Sequence, residues 1–348
     1  MFFIRLLEIY PQVLLFALGL FLVVKGGDWF VDAATWIAKA LKVPTFIIGA
    51  TIVSIATTLP EMIVSVIAAA EGRNDMAVGN AVGSVTANTA LILAIALIFM
   101  HMVTPRKSFM KQGLLLAGAV AILLIASVFG NVASTGSVSA AFTDGGSLHF
   151  VGSILLGLIF IYFMFENVRT ARKKPEIPDT LPESDEEMPA NEKIPAKKIV
   201  FNVLLFLVGA AGIVLGSRLM VDNGEVIALH FGVPERVIAI TLVAVGTSLP
   251  ELVTTLTAIV KKQSDLSIGN IVGANIIDIT LILPICSLVS GKQLPVSGSY
   301  LTIDLPVCLL VTLIVVIPLI IRQKSSRVQG IALLAVYAGY LAYSVIAT

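Results

Sequence analysis

Charge is scarce in this sequence. Asp, Glu, Lys and Arg together make up 13% of 348 residues, 57% are hydrophobic, and the mean hydropathy is +0.98. A water-soluble domain of this length needs far more charge to cover its surface, so that class is excluded. The two signs nearly cancel, leaving a net charge of +1 and no basic footprint for nucleic acid. Cysteine is limited to Cys286 and Cys308, both inside apolar runs. They read as small core residues, and no disulfide is expected. Three histidines, without Cys/His ligand spacing, exclude a zinc-type centre. The period-two alternation of an outer-membrane barrel is also missing.

What is present is a series of continuous apolar runs, each long enough for the roughly 20 residues that cross a bilayer as a helix. Ten spans are expected, at 11–38, 44–70, 76–100, 113–130, 150–167, 199–228, 236–260, 267–290, 300–321 and 329–347. The fold class is therefore an all-α polytopic membrane protein with ten transmembrane helices. "LLFALGLFLVV" has the look of a signal-peptide core, but it continues into "KGGDWFVDAATWIAKAL" without a cleavage site. It is read as a retained first span. Residues 168–198 are rich in Pro, Glu and Lys and form an aqueous linker. The loop "NVASTGSVSAAFTDGGS" is the other long connection.

Basic residues set the expected orientation. With the N-terminus outside, 17 of the 23 Lys and Arg fall on cytoplasmic connections and 4 on outer ones. Lys25 and Arg218 fall inside spans, close to Asp28 and Asp222 at helical spacing. They read as local ion pairs or snorkelling anchors. A cell (inner) membrane location is expected, with both termini on the periplasmic or extracellular side and linker 168–198 in the cytoplasm.

The chain also repeats itself. Shifted by 190 positions, residues 26–95 overlie 216–285 without a gap, with about 24 of 70 identical. "TIVSIATTLPEMIV" lies over "TLVAVGTSLPELVT", and "GNAVGSVTANTALILAI" over "GNIVGANIIDITLILPI". Apolar composition alone would not align Pro, Glu, Asp, Gly and Asn in register. The expected organisation is a first five-span repeat at 1–167 (motif 51–95), the linker 168–198, and a second five-span repeat at 199–348 (motif 241–285). An odd number of spans per half makes the repeats inverted, the architecture of transporters that hold their substrate near the midplane.

Each copy carries a proline and a glutamate in the middle of a span. Pro60 and Pro250 lack an N–H and clash with the carbonyls of Ala56 and Gly246, so an opened helix with free carbonyl oxygens is expected at both. Thr57 and Glu61 are four apart, as are Thr247 and Glu251, and so share a helix face. Ser84 and Asn88 repeat that spacing in the third span, facing Asn275 and Asp278 of the eighth. All of these groups offer oxygen. Hard oxygen ligands in a flexible cage suit Ca²⁺, and Na⁺ on similar grounds. A carboxylate at the bilayer centre costs about 3 kcal/mol or more, so Glu61, Glu251 and Asp278 must be balanced by cations or protons. Asn80 and Asn270 either cap helices or join this site, while Asp75 and Asp265 read as solvated acids near the ends of the third and eighth spans.

These motifs resemble the α-repeats of the cation/Ca²⁺ exchanger superfamily, and of its prokaryotic sodium/calcium exchangers in particular. The resemblance implies four central ion sites in a diamond, with Glu61 and Glu251 as principal Ca²⁺ ligands. It implies oxygen from Thr57 and Thr247 and from the adjacent hydroxyls of Thr58 and Ser248. Backbone carbonyls of Ser54 and Ala244 would serve Na⁺, with Ser84, Asn88 and Asp278 at the flanking and middle positions. It also implies that the long first and sixth spans slide across the rest. Ala56, Thr58 and Ala274 depart from the family's usual Gly, Ser and Ser, and Val85-Thr86 from its usual Asn-Ile, which puts the number and affinity of Na⁺ ions in question. The expected function is antiport of Ca²⁺ against Na⁺ by alternating access, with no enzyme activity and no cofactor. The partners are the transported ions and the lipid bilayer, and a monomer would suffice. Ca²⁺/H⁺ or K⁺-linked exchange is the first alternative, and a non-transporting Ca²⁺ sensor the second.

Overall fold

The structure is a computed structural model that describes residues 9–99, 106–135, 143–172, 195–232, 246–291, 293–322 and 326–347. In chain order the helices are α1 (Tyr10–Leu41), α2 (Thr45–Ala70), α3 (Asn74–Phe99), α4 (Arg106–Thr135), α5 (Phe150–Arg172), α6 (Ala196–His230), α7 (Leu249–Val260), α8 (Ser264–Val289), α9 (Tyr300–Arg322) and α10 (Arg327–Ala347). Eight of them, all but α7 and α10, are long and apolar enough to cross a membrane. The beginning of the expected seventh span, 236–245, lies outside the described residues. Helix α5 runs on to Arg172 and α6 begins at Ala196, so both ends of the expected linker are helical.

Helices α3 and α8 form the centre. Within their most apolar 18-residue stretches 72% and 83% is buried, against 28% in α1 and α6. Small residues allow this crowding. Gly269 and Gly273 of α8 meet the backbone of α2 at Phe46 and Ala50, with no room for a side chain between them.

The 190-residue repeat recurs in the backbone. Helices α2 and α7 end at Ala70 and Val260, and α3 and α8 begin at Asn74 and Ser264. The connecting turns match bond for bond: Arg73 N–H donates to Ala68 O, and Gln263 N–H to Ala258 O. Gly72 and Lys262 both take the left-handed conformation inside these turns, at φ 75° and 57°. Asp75 and Asp265 lie in the first turns of α3 and α8, where an acid complements the helix dipole. A π turn begins at Asn88 in α3 and at Asp278 in α8, again 190 apart.

Helices α1 and α6 pack along a glycine seam. A Cβ on Gly19 would lie 2.8 Å from the carbonyl oxygen of Gly216, and one on Gly26 would lie 2.8 Å from that of Gly209. Gly209 and Gly216 are themselves the 190-shifted counterparts of Gly19 and Gly26. The counterparts exchange partners and the numbering runs in opposite senses, so the two helices cross antiparallel about a local pseudo-twofold axis.

Three expectations need correction. Pro60 does not open its helix: Ser54–Ala70 runs through it, because the bonds on either side hold one missing N–H. The irregularity lies a turn earlier, in a π segment at Gly49–Val53. In the second copy the chain turns at Thr247-Ser248, and Pro250 stands at the start of α7, where a missing N–H costs nothing. Secondly, the chain is not wholly helical. Strands β1 (Gly146–His149) and β2 (Gln293–Val296) pair antiparallel, with Leu148 opposite Leu294 and both buried. Four residues are too few for alternation to be read from sequence, and β1 lies in the loop expected to be a plain connection. Thirdly, of the two readings of Lys25 and Arg218, the local ion pair is not made among the described residues: both side chains are exposed, and Asp28 pairs instead with Lys261.

Candidate cation-binding site

Helices α2, α3, α7 and α8 bring the acidic side chains together. The turn Thr57–Glu61 lies mid-way along α2, Glu251 in the first turn of α7, and Asn88 and Asp278 open the π turns of α3 and α8. A π turn holds one extra residue, which re-aims the side chains that follow and loosens the carbonyls of that turn.

Glu61, Glu251 and Asp278 are each at most 1% exposed. No Lys or Arg is buried among the described residues, so no side-chain cation lies beside them. Both carboxylate oxygens of Glu61, both of Asp278 and Oε2 of Glu251 are buried without a hydrogen-bond partner, as are Asn88 Oδ1, Asn275 Oδ1 and Ser248 Oγ. Burying an ionised carboxylate unpaired costs several kcal/mol. Glu61 also lies within electrostatic reach of Glu251 and Asp278, so the three charges raise one another's energy. The donor set is acceptor-rich, hard and uncompensated, which is what a desolvated cation requires.

Hydrogen bonds fix the frame around these acceptors. Thr58 Oγ1 donates to Glu251 Oε1 at 3.5 Å, which ties α2 to α7 one turn from Glu61. Thr57 Oγ1 donates to Asn270 Oδ1 at 3.1 Å and reaches Ser54 O at 3.3 Å. Asn80 Nδ2 donates to the Glu61 carbonyl at 3.2 Å and to Ser65 Oγ at 2.9 Å. Asn275 Nδ2 donates to Thr89 Oγ1 at 2.8 Å. Asn80 and Asn270 therefore stand within α3 and α8 and hold site helices; they cap nothing.

Of the residues singled out in the sequence, Ser54, Thr57, Thr58, Glu61, Ser84, Asn88, Ser248, Glu251 and Asp278 are all buried, and Thr247 is half-buried in the turn before α7. Ala244 lies outside the described residues. Four polar residues escaped the sequence reading. Thr254 and Thr255 are buried without partners one turn beyond Glu251, and their i+3 and i+4 spacing was the available signal. Ser65, four residues beyond Glu61 and the counterpart of Thr255, carried the same signal, whereas Thr89 enters only through Asn275 on another helix, which no local spacing announces. Among the described residues no three of His, Cys, Asp and Glu come close enough to hold one metal ion by themselves. A bound ion must therefore complete its shell with hydroxyl, amide and backbone oxygen.

The family profile described as sodium/calcium exchanger protein matches residues 11–168 and 201–346. The chain belongs to that family. Among its relatives in the family, "Sodium/calcium exchanger MaX1" of Methanosarcina acetivorans is 31% identical over 351 residues, covering 94% of this chain and 97% of that protein. "Inner membrane protein YrbG" of Escherichia coli is 33% identical over 322 residues, covering 92% of each. A solved structure of the sodium-calcium exchanger NCX_Mj, soaked with 2.5 mM Na⁺ and 10 mM Sr²⁺, matches with a TM-score of 0.75 at 29% identity, over 96% of this chain and 99% of that one. This sodium/calcium exchanger family member is thus similar over nearly its whole length to multi-pass membrane proteins.

Proposed function

We propose that this chain exchanges Ca²⁺ for Na⁺ across the cell membrane by alternating access. Ten spans in two inverted five-span repeats carry the site, and linker 168–198 joins the halves. Support for the repeats comes from the matched helix ends and π turns at 190-residue spacing and from the exchanged glycine contacts of α1 and α6. The β1–β2 pair adds a parity argument. It joins residues before α5 to residues after α8 on one face, which requires an even number of crossings between them. Helices α5, α6 and α8 supply three, and a complete seventh span supplies the fourth.

Glu61 and Glu251 hold the divalent ion in this reading, with Thr57, Thr58, Thr247 and Ser248 around it. Asp278, Asn88, Ser84, Ser54 and Ala244 serve the flanking and middle positions. The observation that carries the proposal is the set of orphaned carboxylate oxygens on Glu61, Glu251 and Asp278, contributed by both repeats, with no buried base beside them. The termini lie outside and the linker in the cytoplasm, following the distribution of Lys and Arg.

The test uses reconstituted vesicles loaded with Na⁺ and diluted into Na⁺-free buffer containing ⁴⁵Ca²⁺. Uptake should exceed that of a Glu251→Gln control, and equal uptake in both would end the proposal. Coupling to H⁺ or K⁺ is the second reading. It is favoured by Ala274, which is fully buried and offers no hydroxyl opposite Ser84. Imposing each gradient alone distinguishes the three ions.

A further inference from the structure

Lys261 follows the last residue of α7 and reaches across to α1. Its Nζ lies 2.7 Å from Asp32 Oδ1 and 3.5 Å from Asp28 Oδ1, and it donates to the Asp28 carbonyl at 3.0 Å. The lysine side chain is 23% exposed, while those of Asp28 and Asp32 are 40% and 60% exposed, so only the lysine end of the cluster is shielded from solvent. It fastens α1 to the α7–α8 turn on one face of the molecule.

Shifting these residues by 190 gives their counterparts. Lys261 corresponds to Glu71, Asp28 to Arg218 and Asp32 to Asp222. The first two signs are both reversed, so attraction between them is retained. The backbone that presents Lys261 is also repeated at Glu71, down to the turn hydrogen bonds and the positive φ of the following residue. Yet this second pair is not made. Glu71 is bonded to Arg73, two residues on, and Arg218 has no ion pair among the described residues. Five crossings separate residue 71 from residue 261 in the ten-span reading, so the two turns lie on opposite faces.

We propose that Asp28/Asp32–Lys261 and Arg218–Glu71 are alternate latches, one at each face, of opposite charge polarity and made one at a time. In a machine of two matched halves, the other access state arises when each half takes up the arrangement of its partner. The contact α1 makes with the α7–α8 turn is then lost, and the contact α6 makes with the α2–α3 turn is gained. The latches are unequal. Lys261 is held by two carboxylates, whereas Glu71 must leave Arg73, and Arg218 has Asp222 one turn away on its own helix. The arrangement latched at Lys261 is therefore favoured when no ion is bound. These five residues act as positioning residues; none touches the transported ion.

This inference rests on the alternating-access reading, and the experiment separates the two. Cysteines are introduced as Asp28→Cys with Lys261→Cys, and separately as Glu71→Cys with Arg218→Cys. In both pairs the two positions fall on opposite sides of residues 173–194, where a protease site is placed. A short bismaleimide then keeps the halves as one band after denaturation and cleavage, and single-cysteine variants supply the background. Cross-linking is run in ion-free, Na⁺ and Ca²⁺ buffers. A condition that raises the yield of one pair should lower that of the other, and the 71–218 pair, which keeps Lys261 and both aspartates, should give its lowest yield without ions. Adding Lys261→Gln to the 71–218 pair should raise its yield about two- to fivefold, the effect of one partly exposed ion pair. Yields that rise together, or a 71–218 yield unmoved by ions and by Lys261→Gln, would overturn the latch. Flux is measured on the wild-type chain in the same preparation. Its absence counts against exchange, while the latch is judged on cross-linking alone.

Discussion

Gly26 rests directly on Gly209: a Cβ added at 26 would come 2.8 Å from the carbonyl oxygen of 209. The contact leaves no space for a side chain, and the gap lies against backbone, which cannot swing aside. Gly26→Leu should therefore force α1 and α6 apart and cost about 1–3 kcal/mol, the usual range for overpacking. Gly157→Ala is the contrast. Nothing lies within 4 Å of a Cβ there, in the interior of α5. Alanine should be neutral, or stabilising by roughly 0.5–1 kcal/mol, through its better helix propensity. Thermal melts in detergent measure both, and equal melting of Gly26→Leu and wild type would count against the seam.

Much of this was legible in the sequence for one reason: the bilayer enforces long helices, and the repeat fixes which residues correspond. The expected second span, 44–70, is observed as Thr45–Ala70, and the ninth, 300–321, as Tyr300–Arg322. The acids of the two LPE turns announced themselves because a carboxylate in hydrocarbon needs a reason. Contacts that depend on docking between helices were not legible. Lys261 reaches Asp28 and Asp32 across 233 and 229 positions of sequence, while Lys25 sits close to Asp28 along the helix and is the obvious local partner. The π turns escaped as well. They satisfy the same apolar periodicity as an α-helix over a short stretch, and only the hydrogen-bond ladder tells them apart.

Thr58 donates to Glu251 Oε1 from the neighbouring helix and so holds that carboxylate in one orientation. Thr58→Val keeps the shape and removes the donor. A hydrogen bond to a charged group contributes about 1.5–3 kcal/mol, and at 3.5 Å this one should lie at the lower end. The Ca²⁺ concentration for half-maximal flux should rise about tenfold in Thr58→Val, since 1.4 kcal/mol is a factor of ten. Thr58→Ser should stay near wild type. An unchanged Ca²⁺ dependence in Thr58→Val would remove Thr58 from the site.

Ala274 occupies the position that corresponds to Ser84, and it is fully buried in α8. Alanine offers no oxygen to an ion, so Ala274→Ser should restore one ligand and lower the Na⁺ concentration needed to drive exchange. The Ca²⁺ dependence should move less, because in the proposed site the paired glutamates dominate it. The measurement is Na⁺-dependent ⁴⁵Ca²⁺ release from loaded vesicles. Identical Na⁺ curves for Ala274→Ser and wild type would place residue 274 outside any Na⁺ site.

Removing the ions should expose the cost of crowding the carboxylates. Glu61, Glu251 and Asp278 leave five buried oxygens without partners, so a bound divalent cation stabilises the folded state by its binding free energy. At a Ca²⁺ concentration one hundred times the dissociation constant that gain is about 2.7 kcal/mol. Wild type should therefore melt higher in Ca²⁺ than in EGTA. Glu251→Gln should behave differently on both counts. It removes one of three like charges, so in EGTA it should melt no lower than wild type, and in Ca²⁺ it should gain little. A variant that loses stability in EGTA yet keeps the full Ca²⁺ increment would mean that Glu251 is a structural hydrogen-bonding residue and that the ion is held elsewhere.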